Sequence, residues 1–192
     1  MDTLLFLILA ALLTGAARWR AELALPAIVA AALAGTTLPD LDFALGLGHR
    51  SGLTHSLLPV AAALTRPAWR PVAIGLALGI GLHLSADCFP NAMRGYATIK
   101  LPGEGSIGPR ASYLWLLGNA VAALALGGWL LVRFTDRLRA ALTFAAVAVV
   151  GVAYLWATDG GWPALLVFTG AGVALTRRQW REARPPAGGG AD

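Results

Sequence analysis

GLALGIGLHLSAD, running from Gly75 to Asp87, is the stretch whose reading decides the fold. It continues an apolar run that starts at Val72, and within it Gly75, Gly79, His83 and Asp87 recur every fourth residue. Side chains four apart share one face of an α-helix. The segment therefore predicts a helix whose single stripe carries glycines at one end and two metal-ligand types at the other. Small residues let a second helix approach closely inside a membrane, and ionisable groups in such helices are costly and often functional. The plain alternative is a His83–Asp87 hydrogen bond acting as helix glue.

The rest of the chain fits a membrane setting. Of its 192 residues 57% are hydrophobic and 13% charged, against roughly 25% charged in a soluble domain. Apolar runs cover about residues 3–17, 23–38, 53–64, 72–86, 113–132, 138–156 and 162–176. A helix that crosses the hydrocarbon core needs about 20 such residues. The expectation is an all-α polytopic membrane bundle of about seven transmembrane or partly interfacial helices. Residues 1–176 read as one membrane-embedded domain, with residues 35–102 as the core of its site. The Pro- and Gly-rich tail, 177–192, reads as disordered and cytoplasmic. Asp2 and the lack of Lys or Arg ahead of the first run argue for a retained helix rather than a cleaved signal. The single cysteine, Cys88, excludes an intrachain disulfide and reads as a packing residue.

The net charge of +5 reads as a topology signal, because cytoplasmic loops carry excess Lys and Arg. Helix parity collects Arg18, Arg20, Arg66, Arg70, Arg133, Arg137, Arg139 and the tail arginines on one face. The other face receives only Arg50, Arg94, Lys100 and Arg110. The expected topology is N-terminus outside and C-terminus inside. With no aromatic-rich basic platform, no nucleic-acid partner is expected. Trp19, Trp69 and Trp162 near helix ends read as interfacial anchors.

All three histidines lie between Asp40 and Asp87, in the segments LPDLD (38–42), HRSGLTHS (49–56) and HLSAD (83–87). Parity puts the three segments on the sparsely basic face. Pro39 disfavours helix at Leu38, so the second helix is expected to stop there. If LPDLD is extended, Asp40 and Asp42 point the same way and can serve one ion or two; otherwise they are solvated loop acids, Asp40 capping a helix. In HRSGLTHS, Gly52 permits unusual backbone angles, Thr54 is placed to cap the third helix, and His55 falls in its first turn. Arg50 suits bidentate contact with a phosphate or carboxylate. Ser56 can bond a ligand or a bound water. Glu104 in LPGEGSIGPR reads as solvated, and Asn119 as an interhelical contact. The combined set of Asp40, Asp42, His49, His55, His83 and Asp87 points to a divalent metal. Mixed imidazole and carboxylate ligands fit zinc, with manganese or iron as alternatives, and one or two ions.

LPDLD, HRSGLTHSLL and GLHLSADCFPNAM together resemble the bacterial YdjM-like family of inner-membrane proteins, described as LexA-regulated, membrane-bound metal-dependent hydrolases. The resemblance covers roughly residues 35–102. It implies that Asp40, Asp42, His49, His55, His83 and Asp87 form the metal site. More remotely, it implies a similarity to zinc-dependent phospholipase C-like helical hydrolases. The chain departs from that pattern in having no histidine in its first helix and one residue more between His49 and His55.

The leading expectation is a membrane-embedded metal-dependent hydrolase in the bacterial inner membrane, with its site on the outer face. A bound metal lowers the pKa of its water toward about 7. A lipid or other anionic phosphoester, or an ester, is the expected substrate. His49, Arg50 and Ser56 are the expected catalytic helpers, His49 as ligand or proton shuttle and Arg50 as anion clamp. The rival expectations are a non-catalytic metal-binding scaffold and, with less support, an ion transporter. Transporters place their ligands near the bilayer midplane, in repeated halves.

Overall fold

A computed structural model describes residues 2–18, 20–89 and 93–158, together with the isolated positions 170, 173 and 177. Those three positions apart, the seventh apolar run (162–176) and the tail (177–192) lie outside the described residues, as do Trp19 and Trp162. The described chain is helical: α1 (Asp2–Ala17), α2 (Ala24–Gly35), α3 (Leu41–Ala44), α4 (Leu58–Leu64), α5 (Arg70–Asp87), α6 (Pro109–Phe134) and α7 (Arg137–Thr158). A small antiparallel hairpin, β1 (Lys100–Leu101) and β2 (Gly105–Ser106), interrupts the helices.

The opening stretch forms the central helix. Pro71 sits in the first turn of α5, where its fixed φ suits a helix and its missing N–H leaves no bond unmade. Every residue from Val72 to Ala86 is buried. A helix apolar all round is buried all round, and here α2, α4, α6 and α7 surround it. The glycine stripe works as expected, and its partner is α2. A Cβ at Gly75 would run into the Ile28 carbonyl, and one at Gly79 into that of Ala32. One turn on, the stripe residue His83 bonds the Thr36 carbonyl. Ile28, Ala32 and Thr36 thus step along α2 in the same direction as Gly75, Gly79 and His83 along α5. The two helices run parallel and carry their C-terminal ends to the same end of the bundle.

Three helical segments are long and apolar enough to cross a membrane: Pro67–Asp87, Pro109–Phe134 and Arg137–Thr158. Two shorter apolar helices accompany them. The run at 53–64, expected as a transmembrane or partly interfacial helix, yields only the seven-residue α4. At 1.5 Å per residue that is about 10 Å, against about 30 Å of hydrocarbon. Its first half is held in turns by side chains, with Thr54 Oγ1 donating to Ser51 O and Ser56 Oγ to Leu53 O. Such local bonds compete with helix. Thr54 therefore does not cap the helix; the N-cap is Leu57, with no side-chain cap bond. Large apolar side chains face outward along α1 (Leu5, Ile8, Leu12), α6 (Leu114, Leu117, Val121) and α7 (Val149, Trp156). An outer surface of this kind suits hydrocarbon.

Candidate metal centre

The cluster begins where α2 stops. Thr36 is its C-cap, and Pro39 has no N–H with which to extend the ladder. A helix end leaves carbonyls without helical partners, and that of Thr36 meets His83 Nδ1 at 2.9 Å. A carbonyl can only accept, so Nδ1 carries the proton and donates it. The Tyr154 hydroxyl of α7 lies 2.9 Å from the same nitrogen. His83 Nε2 has no hydrogen-bond partner, and in the neutral imidazole it carries the lone pair.

The same logic fixes His55. Its Nδ1 lies 3.2 Å from Thr54 Oγ1 and 3.5 Å from Asp42 Oδ2. The Thr54 hydroxyl already donates to Ser51 O, so toward the imidazole it accepts, and Nδ1 again holds the proton. His55 is wholly buried, its ring anchored through its backbone carbonyl by Trp115 Nε1 of α6 at 2.8 Å. Its Nε2 is also bare.

These two lone pairs face one carboxylate oxygen. Asp87 Oδ2 lies 3.4 Å from His55 Nε2 and 3.4 Å from His83 Nε2. Asp40 Oδ1 lies 3.8 Å from His83 Nε2, and the imidazoles meet edge to face with centroids 5.3 Å apart. Asp40, His55 and His83 each offer one ligand atom, all within 4.8 Å of one another, and can hold a metal ion. His55 Nε2, His83 Nε2 and Asp87 Oδ2 are buried without a hydrogen-bond partner. Buried polar atoms in native proteins are nearly always paired, or else wait for an ion or water. A zinc tetrahedron with bonds of about 2.0–2.1 Å has edges of about 3.3–3.4 Å, which is the separation of Asp87 Oδ2 from each Nε2, while the Asp40–His83 edge is longer at 3.8 Å. A direct imidazolium–carboxylate bond would draw closer, to about 2.7–2.9 Å.

The six residues of the sequence expectation do not share one role. Asp40 and Asp42 do not point the same way, because LPDLD bends into the single turn of α3 and not into a strand. Two residues along a helix turn a side chain by about 200°. Asp42 is fully buried and accepts from Ser51 N at 2.9 Å, whereas the Asp40 side chain is 55% exposed. Asp40 is the N-cap residue of α3 without a capping bond. His49 stands apart from the cluster, half-buried and stacked on Tyr96 at 4.3 Å. Ser56 Oγ is engaged locally, with Leu53 O and Leu58 N. Arg50 is no open anion clamp in this structure. One guanidinium nitrogen binds Asp87 Oδ1 at 2.7 Å, the other the Ala97 carbonyl at 2.7 Å.

The loop geometry explains Arg50. It has a φ of 58°, a left-handed conformation that costs a non-glycine residue about 1–2 kcal/mol. That bend aims Arg50 at Asp87 and Ser51 N at Asp42. Gly52, expected to supply the unusual angle, instead supplies room: a Cβ there would lie 2.8 Å from the Leu101 side chain. The hairpin latches this loop, with Gly52 N donating to Lys100 O and Lys100 N to Arg50 O. Lys100 Nζ reaches the carbonyls of His49, Tyr96 and Thr98. Burial lowers its pKa, and burial likewise pushes the His49 imidazole below its usual range, with Asp42 opposing. The Cys88 thiol is pushed up to about 11 by burial and by Asp87. Around the cluster, three carboxylates face the single guanidinium of Arg50, an excess that a divalent cation offsets.

Thr36, Tyr154, Ser51 and Trp115 all act here without having been singled out from the sequence. Tyr154 carried a usable signal, since a buried tyrosine hydroxyl usually finds a polar partner. Asn119 does link helices as expected, accepting from Leu57 N at 3.2 Å. Glu104 is exposed in the hairpin turn, as expected. No known protein family, curated protein or solved structure matches this chain.

Proposed function

We propose that the chain is a membrane-embedded metal-dependent hydrolase of the YdjM-like kind, acting on a phosphoester or ester at the outer face of the bacterial inner membrane. The observation that carries this reading is the convergence of two bare imidazole nitrogens on an unpaired carboxylate oxygen, buried at one end of an apolar bundle. His55, His83 and Asp87 would hold a zinc ion, with Asp40 on the solvent side. Thr54 and Thr36 fix the imidazole tautomers, Asp42 lies beside His55 Nδ1, and Arg50 orients Asp87; partners of this kind tune metal affinity. The spacing favours a single ion, Asp42 Oδ1 being the remaining unpaired group for a second. Such an ion supplies Lewis acidity and an acidified water at neutral pH. Catalytic zinc sites keep one position open, and Asp40, the exposed ligand, marks the side from which water and substrate enter.

The charge pattern supports an external site. Arg18 and Arg139 border one cavity at the bundle end opposite the cluster, in keeping with a cytoplasmic basic face. Helices α1 and α2 complete the membrane domain beside the three long ones. The substrate proposed is a lipid phosphoester, because the cluster lies at a helix-end level near the headgroups. A non-catalytic metal-binding scaffold is the second reading, favoured by the presence of four protein groups around one point.

The two readings separate in one experiment. Chain stripped with chelator and reloaded with zinc is offered bis-p-nitrophenyl phosphate, p-nitrophenyl esters and a phospholipid panel in detergent. Turnover that disappears on stripping and returns with zinc is expected. Stoichiometric zinc with no turnover on any substrate would leave only the scaffold.

A further inference from the structure

Two other buried side-chain atoms, outside the metal cluster, lack partners: Thr14 Oγ1 and Thr143 Oγ1. Both threonines line one cavity of about 300 Å³ at the opposite end of the bundle. It opens to solvent between the C-terminal ends of α1 and α6 and the N-terminal ends of α2, α5 and α7. Pro71, on its wall, stands sixteen residues before Asp87 along α5, a separation of about 24 Å. Arg18 and Arg139 border it, Leu25 and Phe134 supply apolar wall, and no Asp or Glu is among its lining residues. Thr14 is 6% exposed and Thr143 0%, so neither hydroxyl is satisfied by bulk water.

We propose that this cavity binds the phosphoryl head of an anionic phospholipid, with Arg18 and Arg139 at its mouth and Thr14 and Thr143 donating from its wall. The arginines are exposed and only lightly engaged: Arg18 Nε reaches Gly15 O at 3.4 Å, and Arg139 pairs with Asp136 at 3.2 Å on the surface. Exposed pairs of that kind contribute little and yield readily to a phosphodiester, which guanidinium matches in geometry. A buried hydroxyl without a partner is expensive, and an ester oxygen would satisfy it. The apolar wall admits the glycerol and the start of an acyl chain. Depth agrees, because α5 begins, α6 ends and α7 begins here, where membrane-crossing helices meet headgroups. Basic pockets between helices on a cytoplasmic face are suited to such heads. The site does not depend on the metal reading.

The test uses full-length chain in nanodiscs of equimolar phosphatidylglycerol and phosphatidylcholine, followed by release into detergent and native mass spectrometry. Phosphatidylglycerol is expected to stay bound in preference to phosphatidylcholine. Thr143→Val, which keeps shape and removes the hydroxyl, and Arg18→Gln/Arg139→Gln should each cut retention about tenfold or more. An unchanged circular dichroism spectrum and a melting temperature in detergent no lower than that of the unmodified chain verify that the variants are folded. Inorganic phosphate at millimolar concentration should not displace the lipid. Equal retention of both lipids, or retention unchanged in the folded variants, would overturn the proposal. So would binding of inorganic phosphate with no lipid retained, which would make the cavity a free-phosphate site.

Discussion

At the scale of single residues, the cluster turns on which nitrogen of each imidazole is free. Thr36 O and Thr54 Oγ1 hold the Nδ1 protons, which turns both Nε2 atoms toward Asp87, where neither makes a hydrogen bond. Replacing His83 or Asp87 with alanine is expected to take the metal content from about one ion per chain to near none in elemental analysis. Asp42→Asn, which disturbs the support of His55 and of the Ser51 turn, should weaken binding about 10–100-fold. His49→Ala should leave metal content unchanged, since His49 stacks on Tyr96 outside the cluster. Full metal retention in His83→Ala and Asp87→Ala would dismiss the cluster as the site. The ligand types were legible in the sequence; the division between ligand and support was not. Asp40 and Asp42 look equivalent on paper, and only the turn of α3 buries one and exposes the other.

At the scale of elements, the parallel pair α2 and α5 carries the site. Their close approach depends on Gly75 and Gly79 lying against the backbone of Ile28 and Ala32. Gly79→Val places side-chain atoms against a backbone carbonyl that cannot rotate aside. Overpacking of this kind costs about 1–3 kcal/mol. The variant should melt earlier in detergent and also bind metal more weakly, because Thr36 O draws away from His83. Gly118→Ala on α6 is the contrasting case. A Cβ there meets nothing within 4 Å, and the helix gains up to about 1 kcal/mol from lost glycine freedom, so the melt should rise slightly. A fall in Gly118→Ala as deep as in Gly79→Val would show that helix packing does not govern the difference. The stripe was visible in the sequence as a four-residue repeat. Its partner was not, because nothing local distinguishes one alanine-rich helix from another.

At the scale of the whole molecule, the described buried atoms without partners fall into two groups. Four belong to the metal cluster and two to the cavity at the far end. The bundle thus has a chemically distinct site at each end, and sidedness in the membrane becomes a measurable property. Cys88, the sole cysteine, follows Asp87 and is half-buried. With its thiol pushed up to about 11, it is protonated at neutral pH and reacts slowly. The thiolate is the reactive form, so labelling should speed up as pH rises. A membrane-impermeant maleimide added to intact spheroplasts is expected to modify it, and zinc to slow the modification. Labelling only after permeabilisation would place the cluster on the cytoplasmic face and reverse the proposed topology.

Composition by itself determined that this is an apolar helical chain, since so few charges cannot cover a soluble surface. Four-residue spacing determined that Gly75, Gly79, His83 and Asp87 share a face, because helical geometry is local. Only the tertiary structure decided that α2 lies against that face and that Arg50 is bound to Asp87. It also decided that the run after His55 forms only the seven-residue α4 on its way from the cluster end to the far end of the bundle. Those outcomes depend on contacts between residues far apart in sequence, such as Thr36 with His83 and Arg50 with Asp87. Local periodicity carries no record of such contacts.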